Sequence, residues 1–334
     1  MRFGSVPLDQ AEGAILAHSE HLPQGRLRKG QVLGPKEIAA LREAGIPEVV
    51  VARLEPGDVT EDLAAARLAG ALVPDPAGQG LMPSAAFTGR VNLNATGPGV
   101  VEMDVAAIHA LNLIHPAITL ATLPPLHRVE SGMLVGTVKI ITYAVPDSAL
   151  GSACAAAREA IRIRPVALAT AGLLLTEVPG MDDKLIRKGR RAIETRLKAL
   201  GVSLAECRSV AHDEAAIATA LKGLPGEMLL ILTGSATSDA HDTAPEGLRQ
   251  AGGVVERFGM PVDPGNLLFL GHLDERPVIG LPGCARSPAL NGADWVLERI
   301  ACGLRLDGDA ISAMGVGGLL KESPVRPQPR EPQD

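Results

Sequence analysis

The chain has 334 residues, with 32 Lys and Arg against 38 Asp and Glu, a formal net charge of −6 and a pI near 5.8. At roughly 100–200 residues per domain this is room for two domains, and a hydrophobic content of 46% can fill their cores although aromatic residues make up only 2%. Ala, Val, Leu and Ile must build those cores, and an acidic chain so poor in rings lacks the basic groove and stacking platforms of a single-strand nucleic-acid binder.

The four cysteines, Cys154, Cys207, Cys284 and Cys302, stand far apart with no C-x-x-C pair, which argues against a structural zinc site. No apolar run reaches bilayer length, and residues 1–10 lack a charged segment followed by an apolar one. The expectation is a cytoplasmic protein with no membrane partner.

In chain order, residues 30–53 read as a turn and strand, a helix carrying Ile38 and Leu41 and stopped at Gly45, and a strand at Val49 to Val51. Residues 58–72 read as a helix, 87–101 as strands joined by Gly- and Asn-rich turns, and 133–145 as an alternating strand. A polar break at 146–152 marks the domain boundary, giving an N-terminal mixed α/β region over 1–150 and a second domain over 151–310. In the second domain, strands are expected at 166–170, 228–232, 267–270 and 277–279. Helices are expected at 182–200, 213–221, 243–251 and 287–304. Such alternation predicts a three-layer α/β/α domain with a mainly parallel sheet, and ligands of such sheets bind beyond the carboxyl ends of the strands. Residues 311–334, rich in Pro and charge near the end, read as a disordered tail or linker stub.

The apolar segment Met228–Leu232 runs directly into Thr233-Gly234-Ser235-Ala236-Thr237-Ser238, then Asp239, His241 and Asp242 ahead of a helix. Small residues expose backbone N–H groups, hydroxyls add donors, and the helix turns its positive end toward the loop, so this is a candidate anion cradle. The same pattern also describes an ordinary strand-to-helix turn with Ser/Thr capping. A second segment carries Pro264-Gly265 and then Gly280-Leu281-Pro282-Gly283, followed by Arg286, whose fork suits a phosphate.

With these two motifs in this order, residues 166–304 resemble the molybdopterin-binding domain shared by molybdopterin adenylyltransferases and molybdopterin molybdenumtransferases. The whole pattern, with residues 112–125 and 136–141, is similar to a branch often fused to a cytidylyltransferase-like domain. The resemblance implies a pterin phosphate held by Thr233, Gly234, Ser235, Ala236, Thr237, Ser238, Pro282, Gly283 and Arg286, with Lys139 as a further countercharge. It implies Asp213 and Asp242 as catalytic acids, and Asp242 with Asp239 as ligands of magnesium. The implied function is molybdenumtransferase-like handling of molybdopterin with molybdate and a nucleotide, in a homo-oligomer; the alternative is a non-catalytic carrier serving a separate nucleotidyltransferase or apoenzyme. Ser235 and Asp239 stand where the family has glycines, and the family's acidic Gly-Asp-Glu after the first strand is missing. In the first half, His115 and Thr119 are either partners for a pterin edge or satisfied core groups.

Overall fold

The computed structural model describes residues 1–320 and divides into two units, one over 1–97 with 101–164 and one over 98–100 with residues from 165 onward. The break expected at 146–152 lies inside the first unit, where Ala144–Pro146 is a strand and Asp147–Ala156 a helix with Leu150 and Ala153 buried.

The first unit carries two separate apolar clusters. One is small: the antiparallel strands Arg2–Pro7, Glu48–Arg53 and Ile15–Leu16 and the helix Pro35–Glu43 enclose Leu8, Leu16, Leu33, Leu41 and Val51. The other is built on a four-stranded antiparallel sheet in the order Ile118–Thr122, Leu134–Ile140, Arg90–Ala95, Leu81–Pro83. Helices Glu61–Leu72, Val105–Ile114 and Asp147–Ala156 bury Leu68, Leu111 and Leu150 in its core. His115 and Thr119 are satisfied within this unit: His115 Nδ1 accepts from Ala117 N, and Thr119 Oγ1 donates to Lys139 O. The Lys139 ammonium donates to Thr88 O.

The second unit is the expected three-layer domain. Its strands are β1 (Thr170–Glu177), β2 (Ser203–Ala211), β3 (Met228–Leu232), β4 (Val254–Phe258), β5 (Phe269–Leu273) and β6 (Arg276–Leu281), in the sheet order β2-β1-β3-β6-β5-β4. The first four of that order run parallel; β5 and β4 each run antiparallel to the preceding neighbour. The helices are α1 (Asp183–Ala199), α2 (Glu214–Gly223), α3 (Thr243–Gln250), α4 (Gly292–Ala301) and α5 (Gly308–Ser312).

Strand alternation explains the layers. Met228, Leu230 and Leu232 of β3 pack with Ile193 and Leu197 of α1 and Val296 and Leu297 of α4, whereas Leu229 and Ile231 pack with Ile217 and Leu221 of α2 and Leu248 of α3. A strand covered on both faces must be apolar throughout, and β3 is fully buried along its length.

Four expectations are corrected. The strand expected at 166–170 begins only at Thr170, because the run Ala171–Leu175 is the part buried between two helical layers. The strand expected at 267–270 lies at Phe269–Leu273. The last long helix starts at Gly292 instead of 287: Asn291 caps it, its Oδ1 accepting from Ala293 N while Asp294 Oδ2 accepts from Asn291 N. Ahead of that cap Gly283–Arg286 is a separate 3-10 turn. The expected tail is folded at its start, where α5 buries Ile311 and the following turn buries Met314; residues 321–334 lie outside the described residues. Among the described residues, no helix is long and apolar enough to cross a membrane.

Candidate functional site at the carboxyl edge of the sheet

From β1 the chain moves to β2 on one side and then to β3 on the other, so the carboxyl ends of β1 and β3 flank the point where the strand order reverses. Crevices form at such points because the two connections leave in opposite directions. Here a hydrogen bond spans that point. Gly234 N, in the loop after β3, donates to Thr176 Oγ1 of β1 at 2.8 Å, and Thr176 is buried.

Gly234 is required by this approach. A Cβ there would stand 2.6 Å from Thr176 O and 3.1 Å from Val178 N, both backbone atoms. Its neighbour Thr233 is 1% exposed, and its Oγ1 is buried with no hydrogen-bond partner. Arg286, at the end of the 3-10 turn after β6, reaches the same residue: Nη2 donates to Thr233 O at 2.5 Å. The guanidinium lies against Gly189 of α1, where a Cβ would come within 3.4 Å of Arg286 Cγ and 3.6 Å of Nε. Arg286 Nε is buried without a partner, and no carboxylate pairs with this arginine among the described residues. Burial pushes its pKa below the usual arginine range, because an unpaired cation in a poorly solvated place is costly.

The structure thus brings Thr233, Gly234, Gly283 and Arg286 together; a Cβ on Gly283 would be 3.6 Å from Arg286 Nη1. Pro282 caps the turn, its carbonyl accepting from Ala285 N. The remaining loop residues divide. Gly234 N and Ser238 N are already bonded inside the protein, and Thr237 is buried. Ser235, Ala236 and Ser238 are exposed, and among the described residues the amides of residues 235–237 make no backbone hydrogen bonds. Pro264 and Gly265 serve the start of α4: Pro264 O accepts from Gly292 N, and Gly265 packs on Gly292 backbone.

The expected acids are occupied as caps. Asp213 Oδ1 accepts from Ala216 N at the start of α2. Asp242 receives Ser238 N on Oδ2 at 2.8 Å and Thr243 N on Oδ1 at 2.7 Å, closing the loop and capping α3. Asp239 Oδ1 accepts from His241 N. Among the described residues, no three His, Cys, Asp or Glu side chains gather as a metal site. Because the Asp242 carboxylate already neutralises the positive end of α3, an added anion is better placed on the Arg286 side.

The amide bond from Ser238, followed by that from Thr243, holds the Asp242 carboxyl below the ordinary aspartate range against the opposing effect of burial. A depressed pKa contributes stability that is complete above the unfolded value, about 4, and is lost as pH falls through the folded one. The difference in unfolding free energy between wild type and Asp242→Asn is expected to be constant above about pH 4 and to shrink below it. Urea titrations at a series of pH values measure this, and a difference independent of acid pH would contradict the assignment.

Three residues that support the site escaped the sequence reading. Thr176 is a buried hydroxyl at the end of an apolar strand. His212, half-buried, places Nδ1 2.8 Å from Thr176 Oγ1 and lines a cleft of 270 Å³ with Asp213, Glu214, Ala215, Thr243 and Gln250. Arg196 of α1 pins the Arg286 turn: Nη1 donates to Ala285 O, Nη2 to Ser287 O, and Nε to Asp294 Oδ1. A cation on the apolar stripe of α1, between Ile193 and Leu200, was the available signal.

A family model described as a domain of unknown function (DUF8806) matches residues 5–53, the segment that encloses the small N-terminal cluster. No curated protein matches the chain. Among solved structures, it is similar to a molybdopterin biosynthesis MoeA protein from Pyrococcus horikoshii, with 13% identity and a TM-score of 0.32 over 90% of this chain and 75% of that one. A molybdenum cofactor biosynthesis protein from Pyrococcus furiosus aligns with 11% identity and a TM-score of 0.22 over 90% of this chain and 61% of that one. The molybdopterin biosynthesis enzyme MoaB from Thermus thermophilus aligns with 18% identity and a TM-score of 0.26 over 40% of this chain and 96% of that one.

Proposed function

We propose that the second unit binds the phosphate-bearing end of molybdopterin as a substrate at the carboxyl edge of its sheet, and that the protein acts in molybdenum cofactor assembly as a molybdenumtransferase-like component. The observation that carries this reading is the half-buried, carboxylate-free guanidinium of Arg286, whose Nε is buried without a partner and which bonds the residue that carries the unpartnered hydroxyl, Thr233. A phosphate dianion would supply the missing countercharge and an acceptor for both groups. The order of the two loop motifs in the sequence supports the same ligand.

In this reading Arg286 holds a phosphate oxygen, the amides of residues 235–237 and the Ser235 hydroxyl take the others, and Gly283 leaves room for the fork. The roles are electrostatic and positional. Magnesium does not fit as a resident ion: both Asp242 oxygens accept amides and Asp239 is bonded to its own loop. That commitment of Asp213 and Asp242 to caps favours a second reading, a carrier that presents molybdopterin to a separate nucleotidyltransferase or apoenzyme. Formation of cofactor on addition of molybdate and a nucleotide would separate transferase from carrier.

Binding is the first test. Arg286→Met is expected to weaken molybdopterin binding about 10- to 100-fold, the worth of a hydrogen bond to a charged group, while leaving the protein folded because a half-buried charge without a carboxylate partner is removed. Equilibrium titration read by pterin fluorescence measures it. Equal affinity in the variant would place the phosphate elsewhere.

A further inference from the structure

We infer that His212 carries its proton on Nε2 and presents that N–H to the cleft as a hydrogen-bond donor, its tautomer fixed from the anion loop through Thr176. Thr176 Oγ1 has one proton to donate and two lone pairs. Gly234 N–H takes one lone pair at 2.8 Å, and His212 Nδ1 stands 2.8 Å away on the other side. Those are the two partners of this buried hydroxyl among the described residues. If Nδ1 carried a hydrogen, the Thr176 O–H would be left without an acceptor in a place that water does not reach, which is costly. The hydroxyl therefore donates to Nδ1, and the ring proton sits on Nε2.

The ring is also held by its backbone, since His212 N donates to Glu177 O at 2.8 Å. Its surroundings define what the donor can meet. Asp213, Glu214, Thr243 and Gln250 line the same cleft. The carboxylates on this side disfavour a second phosphate, so Nε2–H suits an uncharged oxygen, a carbonyl or hydroxyl, of a ligand whose phosphate rests on the Arg286 side. This recognition role rests on the function proposed above. His212 is then a positioning residue that couples the register of the phosphate loop to a specificity contact in the cleft.

Two measurements test it. Nitrogen-15 NMR of the ligand-free protein at mildly alkaline pH is expected to show His212 Nδ1 unprotonated and Nε2 protonated, and Thr176→Val is expected to release that preference. A protonated Nδ1 in the wild type would overturn the inference. Titration with molybdopterin is expected to show about tenfold weaker binding for His212→Asn, whose side chain can still meet Thr176, and recovery in His212→Gln, whose amide reaches toward the Nε2 position. Wild-type binding with no loss in His212→Asn would overturn the role of His212 while leaving the proposed function standing. Failure of the wild type to bind would overturn both, and the tautomer measurement would still report on the relay by itself.

Discussion

Arg196→Met is expected to destabilise the protein by about 3–5 kcal/mol, the range for breaking one side of a buried ion pair, as measured by urea unfolding. The pair is well enclosed, with side chains 9% and 13% exposed for Arg196 and Asp294. Among the described residues, the substitution leaves Asp294 with its capping bond to Asn291 N and removes the donors that hold Ala285 O, Ser287 O and Ala289 O. Arg196→Lys is expected to recover little, because one ammonium cannot serve a carboxylate and three separated carbonyls as a planar fork does. The same turn carries Arg286, so either variant should also weaken anion binding. A loss below about 1 kcal/mol, typical of exposed pairs, would show that the fork is not a support of the turn.

Gly234→Ala is expected to cost about 1–3 kcal/mol of stability through overpacking and to abolish most of the binding at the loop. The added methyl meets backbone on the neighbouring strand, 2.6 Å from Thr176 O, and backbone cannot step aside as a side chain end would. The loop must move off β1, which breaks the Gly234–Thr176 bond and with it the relay to His212. Unfolding titrations and molybdopterin binding measured on the same variant test both effects; normal stability with normal affinity would mean that the close approach of the two strands is not part of the site.

The fold was legible where packing on both faces forces an uninterrupted apolar strand or a one-sided helix. Met228–Leu232 and the amphipathic α1 could be read for that reason, and Asp182 and Asp213 could be read near helix starts because they are caps. The edge strand β2 could not, since its exposed and half-buried positions carry Glu206, Arg208 and Ser209 and show no continuous apolar signal. The Pro288 region misled the reading of α4 because the chain spends residues 283–291 on a turn and a cap before the helix begins.

The candidate site was legible as a list of loop residues but not as a geometry. Spacing located Thr233 to Ser238 and Arg286, yet nothing local in the sequence says that Gly234 N and Ser238 N turn inward while residues 235–237 keep their amides open. Long-range partners decide that: Thr176 lies 58 residues from Gly234, and Thr233 lies 53 residues from Arg286. The acids show the same limit, for a carboxylate ahead of a helix reads alike as a cap or as a catalytic group until its hydrogen bonds are seen.

The position of phosphorus in a crystal of the protein soaked with molybdopterin tests the central claim most directly. The account predicts the phosphate within hydrogen-bond distance of the Arg286 guanidinium and the Thr233 hydroxyl, at the open amides of residues 235–237. A phosphate seated in the first unit, or bound with Arg286 still lacking any anion, would contradict it.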